Sequence, residues 1–343
     1  ANYEWSILDL KFQENSQILY SKDIRTLSKS IDNFASLQKL WVDNNKLNTL
    51  PESIGNLSSL KTLWVDRNRQ KTLPDAIGNL PSLQELWVRD NHLRTLPESI
   101  GNLQSLKTLR LYDNELLNLP DSIGNLSSLQ ELSVGVNKLT ELPESIGNLS
   151  SLKVLHIYEN QLTTLPDSIG RLRSLEELHI NKNQLIALPE SIGNLSLLKK
   201  LFLEHNQITT LPDSIGNLKS LQRLDFRSNQ VSSLPDSIGD LSSLQELWVW
   251  SNKLTNLPDS IGNLSSLKKL YLGNNQLSTL PESIINLQSL THLSILHNEF
   301  TTLPVSINHL TSLQKLFCSG NRFDSNAKTI LNGLKKNGVE VRD

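Results

Sequence analysis

Two histidines are the residues whose types and spacing come nearest to a reactive site. His156 and His179 lie 23 residues apart, and on neighbouring parallel strands in register they would sit roughly 5 Å apart on one face of a sheet. A zinc site needs further ligands, and Glu177 and Glu204 are the nearest carboxylates by the same spacing. Metal binding is therefore a weak alternative to plain surface histidines.

The other reactive residue types form no converging set. Cys318 is the single cysteine, so an internal disulfide is excluded, and its inward slot favours a small buried hydrophobe over a reactive thiol. Serines recur in a Pro-Glu/Asp-Ser phrase, which singles out no nucleophile. No Gly-rich phosphate loop, CxxC pair or calcium-loop phrase is present. We expect neither an enzyme nor a cofactor, because catalysis needs dissimilar groups that converge in a pocket.

A repeat of 23 residues organises the sequence. From Leu37 to Leu313 is 276 residues, or twelve steps of 23, and the phrase is L-x-x-L-x-V-x-x-N-x-L-x-x-L-P-x-x-I-x-x-L-x-x. The first repeat carries it at Leu37, Leu40, Val42, Asn45, Leu47, Leu50, Pro51, Ile54 and Leu57. A thirteenth repeat begins at Leu313 and breaks off after Phe323.

Each repeat combines two hydrophobic periods. Apolar residues alternate around Leu40-Trp41-Val42, which predicts a short strand with one buried face. From Leu47 to Leu57 the spacing becomes three or four, with Pro51 at the head of a helical or 3-10 turn. The fold class is therefore α/β, and stacked repeats share one continuous core because no single repeat can bury its own apolar face.

An asparagine occupies the ninth position of all thirteen repeats, from Asn45 to Asn321. A carboxamide both donates and accepts hydrogen bonds, and a buried one must find partners. We therefore predict a stacked asparagine ladder that satisfies backbone groups where the chain leaves the strand.

This pattern resembles the leucine-rich repeat family, specifically its 23-residue class with the Leu-Pro-x-x-Ile/Leu segment, and it matches from Leu37 to Phe323. The resemblance implies a right-handed horseshoe solenoid with a parallel sheet on the concave face and short helical or 3-10 segments on the convex face. Similar members include Ras-binding and plant Ras-group-related scaffolds, whose concave face binds proteins, and bacterial secreted or surface proteins. The compartment stays open between the cytoplasm and a secreted or surface location.

The two ends depart from the repeat. We predict that residues 1–36 form a degenerate N-terminal capping repeat, that 37–323 form the repeat array, and that 324–343 form a C-terminal capping helix. At the first end, Ile7, Leu10, Phe12 and Asn15 follow the strand phrase, with an insertion near 16–23. At the other end, Ile330, Leu331 and Leu334 have helical spacing, with Ser325 as N-cap.

One departure lies inside the array. Gln70 stands where the other full repeats carry Leu, Ile, Val or Phe. A polar residue in an apolar slot predicts a bulge or a locally loose second repeat.

Charge and hydropathy exclude several partners. Lys and Arg number 33 against 35 Asp and Glu, giving a net charge of −2. Without a basic block, a nucleic-acid or anionic-membrane surface is not expected. No run of apolar residues is long enough to span a bilayer. We expect a monomer with protein partners.

The candidate binding residues lie on the strand face opposite the core, at positions three, five, seven and eight. Exposed aromatic residues rimmed by charge are typical of protein interfaces, where Trp, Tyr and Arg dominate. The candidates are Trp41, Trp64, Trp87, Arg89, Arg110, Tyr112, Tyr158, Phe202, Arg227, Trp248, Trp250 and Tyr271. They form an N-terminal patch from Trp41 to Tyr112 and a C-terminal patch around Trp248.

Three alternatives compete with protein binding. Trp41, Trp64 and Trp87 could serve as a stacked ladder that stabilises neighbouring strands, a role compatible with binding. Aromatic rows could instead stack sugars, which would make this a carbohydrate-binding surface. A purely structural scaffold would need an inert concave face, and five tryptophans there argue against it.

Overall fold

The computed structural model describes residues 11–12, 18–20 and 24–343. The chain divides into two compact units, Ala1–Leu162 and Thr163–Asp343. Both are built from the predicted 23-residue step, in which a short strand is followed by a turn and a 3-10 segment.

The N-terminal unit contains one sheet whose consecutive strands pair. The strands are β1 (Lys11–Phe12), β2 (Ile18–Tyr20), β3 (Lys39–Trp41), β4 (Thr62–Trp64), β5 (Glu85–Trp87), β6 (Thr108–Arg110), β7 (Glu131–Ser133) and β8 (Val154–His156). From β2 onwards the pairing is parallel, with a register of 23 residues from β3 to β8, so equivalent positions lie side by side.

The C-terminal unit repeats this arrangement. Its strands are β9 (Glu177–His179), β10 (Lys200–Phe202), β11 (Arg223–Asp225), β12 (Glu246–Trp248), β13 (Lys269–Tyr271), β14 (His292–Ser294), β15 (Lys315–Phe317) and β16 (Glu340–Arg342). Consecutive strands pair in parallel throughout.

The second half of each repeat forms a five-residue 3-10 segment. Except at the first segment, which follows Ser28, the residue before it is an extended proline whose carbonyl accepts the N–H of the isoleucine three residues on, as Pro51 does from Ile54 at 3.0 Å. These segments are Lys29–Asn33, Glu52–Asn56, Asp75–Asn79, Glu98–Asn102, Asp121–Asn125 and Glu144–Asn148, then Asp167–Arg171, Glu190–Asn194, Asp213–Asn217, Asp236–Asp240, Asp259–Asn263, Glu282–Asn286 and Val305–His309.

Adjacent 3-10 segments pack closely because a glycine meets a small residue of the next repeat. A Cβ on Gly55 would lie 2.6 Å from the Ala76 carbonyl oxygen and 2.9 Å from the Ala76 Cβ. At the same position Ile285 replaces glycine and stays half-buried. Where glycine occupies this position it provides space for the neighbouring segment and has no left-handed backbone.

The core is the apolar set that the repeat predicts. Leu40, Val42, Leu47, Ile54 and Leu57 are fully buried, and their equivalents in the later full repeats are buried as well. Cys318 is fully buried in the same layer, and burial raises the pKa of its thiol to about 12. A thiol in this state is largely protonated at neutral pH and is a poor nucleophile, which agrees with its predicted role as a buried hydrophobe.

The asparagine ladder is confirmed. Asn68 Nδ2 donates to the carbonyl of Val65 in its own repeat (3.0 Å) and to that of Val42 in the preceding one (2.9 Å). Its Oδ1 accepts the Leu47 N–H at 3.0 Å. The same pattern returns at Asn114, Asn206 and Asn298, so the ladder ties each repeat to its predecessor.

The residue before each ladder asparagine adopts left-handed backbone. Its φ lies between 50° and 61° at twelve non-glycine residues, from Asn44 to His297, and Gly320 takes the slot at 75°. Val136 has a φ of 53° although its β-branched side chain disfavours that conformation. The alternation of the strand predicts position eight on the strand face and does not predict this turn.

The strand of the N-terminal capping repeat is not where the sequence predicted it. β2 pairs with β3 so that Leu19 lies opposite Leu40, although the stretch 16–23 was interpreted as an insertion. Phe12 instead lies in β1, antiparallel to β2, while Ile7, Leu10 and Asn15 fall outside the described residues. In the second half of this repeat, Leu27 is buried just before the 3-10 segment Lys29–Asn33 and Ile31 is buried within it.

Gln70 does not loosen the second repeat. Its side chain is fully buried, and its backbone N–H donates to Asn91 Oδ1 at 2.9 Å. The N–H of position eleven makes the same bond to the next ladder asparagine in other repeats, such as Leu47 to Asn68. Gln70 Nε2 donates to the Leu47 carbonyl at 3.2 Å, but its Oε1 has no hydrogen-bond partner. The predicted bulge is therefore wrong, and the cost appears as an unsatisfied buried oxygen.

After the last repeat the chain forms α1 (Ser325–Lys336) and returns to the sheet as β16. The N-cap is Asp324, whose Oδ1 accepts the Ala327 N–H at 2.7 Å, rather than the predicted Ser325. Ile330, Leu331 and Leu334 are buried, as their helical spacing indicates. The division of the chain into caps and array stays a prediction.

Candidate functional site

The candidate site is the exposed sheet face, which we define as the side chains at positions three, five, seven and eight of the repeats. Their neighbours at positions four and six point into the core. Because the register is a whole repeat, position-five side chains of adjacent strands form a column within each unit. Contacts along and beside these columns determine which candidate residues lie together.

Three tryptophans form a continuous stack in the N-terminal patch. Trp41 and Trp64 have ring centroids 4.7 Å apart with planes 13° apart, and Trp64 and Trp87 follow at 4.6 Å and 29°. Since β3 and β5 lie on either side of β4, both faces of Trp64 are covered. The indole N–H groups of Trp64 and Trp87 are buried without a hydrogen-bond partner, so these rings expose mainly apolar edges.

Arginines cover the end of the stack. The Arg110 guanidinium lies 4.2 Å from the Trp87 ring centroid, in cation–π geometry. Glu131 holds it with two hydrogen bonds, from Nε at 2.8 Å and from Nη2 at 3.0 Å. A guanidinium fixed in this way has little freedom to lose when a partner binds.

Arg89 connects the stack to position seven. Its guanidinium lies 4.8 Å from the Trp87 centroid and 5.3 Å from that of Tyr112. Arg89 Nε donates to Asp66 Oδ2 at 2.6 Å, and its backbone N–H donates to Oδ1 at 2.8 Å. Burial raises the pKa of Asp66, while the hydrogen bonds from Arg89 act in the opposite direction. The N-terminal patch is therefore one contiguous surface.

The C-terminal patch centres on a second aromatic pair. Trp248 and Tyr271 have centroids 4.0 Å apart. The guanidiniums of Arg223 and Arg227 lie 5.1 and 4.9 Å from the Trp248 centroid. Both arginines pair with the fully buried Asp225, from Arg227 Nε at 2.8 Å and Arg223 Nη2 at 3.4 Å.

Phe202 extends this surface toward β9. Its ring centroid lies 4.4 Å from that of His179 and 5.0 Å from the Arg223 guanidinium. Arg223 therefore contacts the rings of Phe202 and Trp248 on the strands at either side of its own. His179 Nε2 is 3.4 Å from Glu177 Oε2, and Lys200 pairs with the same glutamate.

Tyr158 and Trp250 each lie against a glycine, and the Tyr158 ring centroid is also 6.2 Å from that of His156. A Cβ on Gly135 would be 2.7 Å from Tyr158 Cζ, and one on Gly273 would be 2.5 Å from Trp250 Cδ1. Trp250 is 41% exposed, more than the half-buried tryptophans of the stack. These two rings therefore occupy the space that the glycines leave open at position seven.

Several residues of this face were missed from the sequence. Arg223 and Glu131 occupy position three, which belongs to the predicted face, but only positions five and seven were searched for candidates. Asp66 and Asp225 are buried anchors for arginines, and an acidic residue next to arginine in the repeat grid was the available signal. The sequence gives no sign that Gly135 and Gly273 make room for the rings of Tyr158 and Trp250.

The two candidate histidines lie in different units of the chain. His156 belongs to the N-terminal unit and His179 to the C-terminal one, so their predicted proximity stays a prediction. Within the described part of the chain, no three His, Cys, Asp or Glu side chains are grouped to hold a metal ion. Over the same residues, no helix has the length and apolarity required to cross a membrane.

Comparison with known families decides the classification. The model of the leucine-rich repeat region matches residues 10–91, 132–202, 179–253 and 247–336, and the Leucine Rich Repeat model matches 82–103 and 105–126. The chain belongs to the leucine-rich repeat family. Its fold is accordingly the leucine-rich repeat solenoid, with parallel strands on one side and 3-10 segments on the other. A search of the curated proteins found no match.

Solved structures of other family members are similar to this chain. A leucine-rich repeat protein of Leptospira interrogans is 37% identical with a TM-score of 0.87, over 94% of this chain and 82% of that one. A plant peptide hormone receptor solved with its peptide is 30% identical with a TM-score of 0.78, over 93% of this chain but 57% of the receptor. An internalin of Listeria monocytogenes is 25% identical with a TM-score of 0.74, over 89% and 87%.

Proposed function

We propose that this chain is a non-enzymatic recognition module that binds a protein partner, as a monomer, through its exposed sheet face. The observation that carries this proposal is the column of aromatic rings and carboxylate-anchored arginines on that face. Trp, Tyr and Arg held rigidly are the side chains that dominate interface energetics, because little entropy is lost when they are covered. A relative whose structure was solved in complex with a peptide is consistent with this use of the fold.

The stack also supports a second role for the same tryptophans. Face-to-face rings on adjacent strands stabilise strand pairing, and each aromatic pair contributes about 0.5–1.5 kcal/mol beyond its buried area. The tryptophan stack can stabilise the strands and also bind a partner, because the ring edges stay open to a partner while the ring faces are stacked. An inert structural scaffold would need no arginines anchored around the rings.

Carbohydrate binding has less support. A sugar ring packs against an aromatic face, but Trp41 and Trp87 cover the faces of Trp64, and Arg110 covers the far face of Trp87. In the C-terminal patch, Tyr271 and two arginines surround Trp248. The geometry of both patches therefore favours a protein surface that fits against ring edges and guanidiniums.

An affinity capture tests the proposal. The wild-type chain and a Trp64→Ala/Trp87→Ala variant are immobilised side by side, with Leu117→Ala as control, because Leu117 is 52% exposed but lies outside the sheet face. We expect the wild type and the control to capture the same protein and the double variant to lose it. Circular dichroism must show that the double variant is folded. A folded double variant that captures the partner as well as wild type would refute this patch as the binding site.

A further inference from the structure

Trp250 differs from every other tryptophan described on the sheet face. The others stack on rings or lie under guanidiniums. Among the described residues, no ring or cation covers the Trp250 indole, which is 41% exposed. A large apolar ring left open on a rigid sheet is the kind of residue that becomes an interface hot spot.

The position of this ring depends on Gly273. A Cβ there would lie 2.5 Å from Trp250 Cδ1 and 2.7 Å from Nε1, so any larger residue would displace the indole. Because Gly273 does not have left-handed backbone, its function at this point is to provide space. Leu296, half-exposed on the next strand, continues the apolar surface.

The band of the sheet face that holds Trp250 carries cations and no carboxylate, while Asp225 and Glu246 at positions five and three pair with Arg223, Arg227 and Lys269. Positions seven to ten of three successive repeats, residues 227–230, 250–253 and 273–276, contain no carboxylate, whereas each of the first four repeats carries at least one there. Arg227 and Lys253 are the two cations within this band. Lys253 Nζ donates to a neutral oxygen, Gln230 Oε1, at 3.2 Å. Arg227 shares the single buried carboxylate of Asp225 with Arg223.

We propose that Trp250, seated on Gly273, is the anchor in the C-terminal unit for an acidic, extended protein segment that carries an apolar side chain. The apolar side chain would pack on the open indole and Leu296, and the acidic residues would pair with Arg227 and Lys253. This inference rests on the proposed function and specifies the chemistry of the partner at one part of the face.

The probe is a displayed library of random short peptides selected against the wild-type chain. We expect the selected peptides to carry net negative charge around an apolar residue. The affinity of a selected peptide is then measured for Trp250→Ala, for Gly273→Ala, which displaces the indole without removing it, and for Leu197→Ala as control. Leu197 is 50% exposed in the same unit but lies outside the sheet face.

A loss of at least about tenfold in both Trp250→Ala and Gly273→Ala, with the control unchanged, is the expected result. Failure to select any peptide, selection of neutral or basic peptides, or binding that is insensitive to Trp250→Ala would overturn the inference. If a captured protein depends on Trp64 and Trp87 but not on Trp250, the inference fails while the proposed function stands.

Discussion

Val136 shows how the repeat imposes backbone conformation on residues unsuited to it. Its φ of 53° places a β-branched residue in the left-handed region, where an L-residue costs about 1–2 kcal/mol. The cost is tolerated because the Val136 N–H donates to the Tyr158 carbonyl at 2.8 Å and the adjoining Asn137 is fixed by the ladder. Asn44 and Asn274 occupy the equivalent position in other repeats.

Replacing Val136 with Asn should therefore stabilise the protein. Because Asn adopts left-handed backbone more readily than Val, we expect the free energy of unfolding to rise by about 1 kcal/mol. Urea denaturation measures this change. The inverse substitution Asn44→Val should lower stability by a similar amount, and equal stability of all three proteins would contradict the strain argument.

Gln70 predicts a second stabilising substitution. Its Oε1 is buried without a partner, and an unsatisfied buried acceptor costs about 1–3 kcal/mol. The Leu47 carbonyl would still accept the Arg69 N–H at 2.9 Å if the Gln70 side chain were lost. We expect Gln70→Leu to raise the melting temperature, whereas Asn91→Leu, which removes a satisfied ladder residue, should lower it. A lower melting temperature for Gln70→Leu would show that its amide stabilises the fold.

Glu204 predicts a pH dependence of stability. Burial raises the pKa of Glu204, and the nearby Asp225 carboxylate adds to the shift, against the attraction of Arg227 and Arg223. A carboxyl whose pKa is raised by folding stabilises the protein once protonated, and this contribution is lost as the pH rises through the folded-state pKa. Glu204→Gln should thus be more stable than wild type at neutral pH.

The difference should shrink as the pH falls toward the ordinary carboxyl range, because the wild-type side chain is then neutral as well. Urea midpoints of both proteins across that range provide the measurement. A gap that stays constant or widens on acidification would mean that Glu204 is not the group responsible.

At the scale of elements, the tryptophan stack ties β3, β4 and β5 together through side chains as well as backbone. Trp64 contacts a ring on each side, so its removal breaks two aromatic pairs, each worth about 0.5–1.5 kcal/mol beyond buried area. We expect Trp64→Ala to destabilise the protein by about 1–3 kcal/mol from the lost ring pairs, in addition to the cost of the lost apolar burial. Trp250→Ala breaks no ring pair and should cost much less. Equal losses of stability for the two variants would contradict a stabilising role of the tryptophan stack.

The sequence predicts the strands, 3-10 segments and core of the array because the spacing of the apolar residues indicates which side chains are buried. The strand of the N-terminal capping repeat could not be predicted, since β2 lies in 18–20 without the Leu-x-x-Leu spacing that marks the strands of the array. Nor could the left-handed turn at position eight, because Val136, Glu159 and Lys182 carry none of the glycine signal that usually accompanies it. That conformation is set by hydrogen bonds to the next repeat.

At the scale of the whole molecule, the position of each candidate residue within the repeat predicts the face on which it lies. The side chains that it contacts could not be predicted in this way. The repeat places Trp87, Arg89 and Arg110 on one face, but the carboxylates that anchor the arginines follow from side-chain conformations on neighbouring strands. The same applies to the Trp250–Gly273 contact. Repeat phase therefore predicts which surface is presented, and the structure adds which rings are covered and which are open.

The most direct test of the central claim is the dissociation constant of a captured partner, measured for variants on the sheet face and outside it. The face variants are Trp87→Ala and Trp248→Ala. The matched variants are Leu117→Ala and Ile186→Ala, whose side chains are 52% and 56% exposed. We predict that at least one face variant weakens binding by about tenfold or more while both matched variants bind like wild type. Wild-type affinity in both face variants, or a loss confined to Leu117→Ala or Ile186→Ala, would contradict recognition through the exposed sheet face.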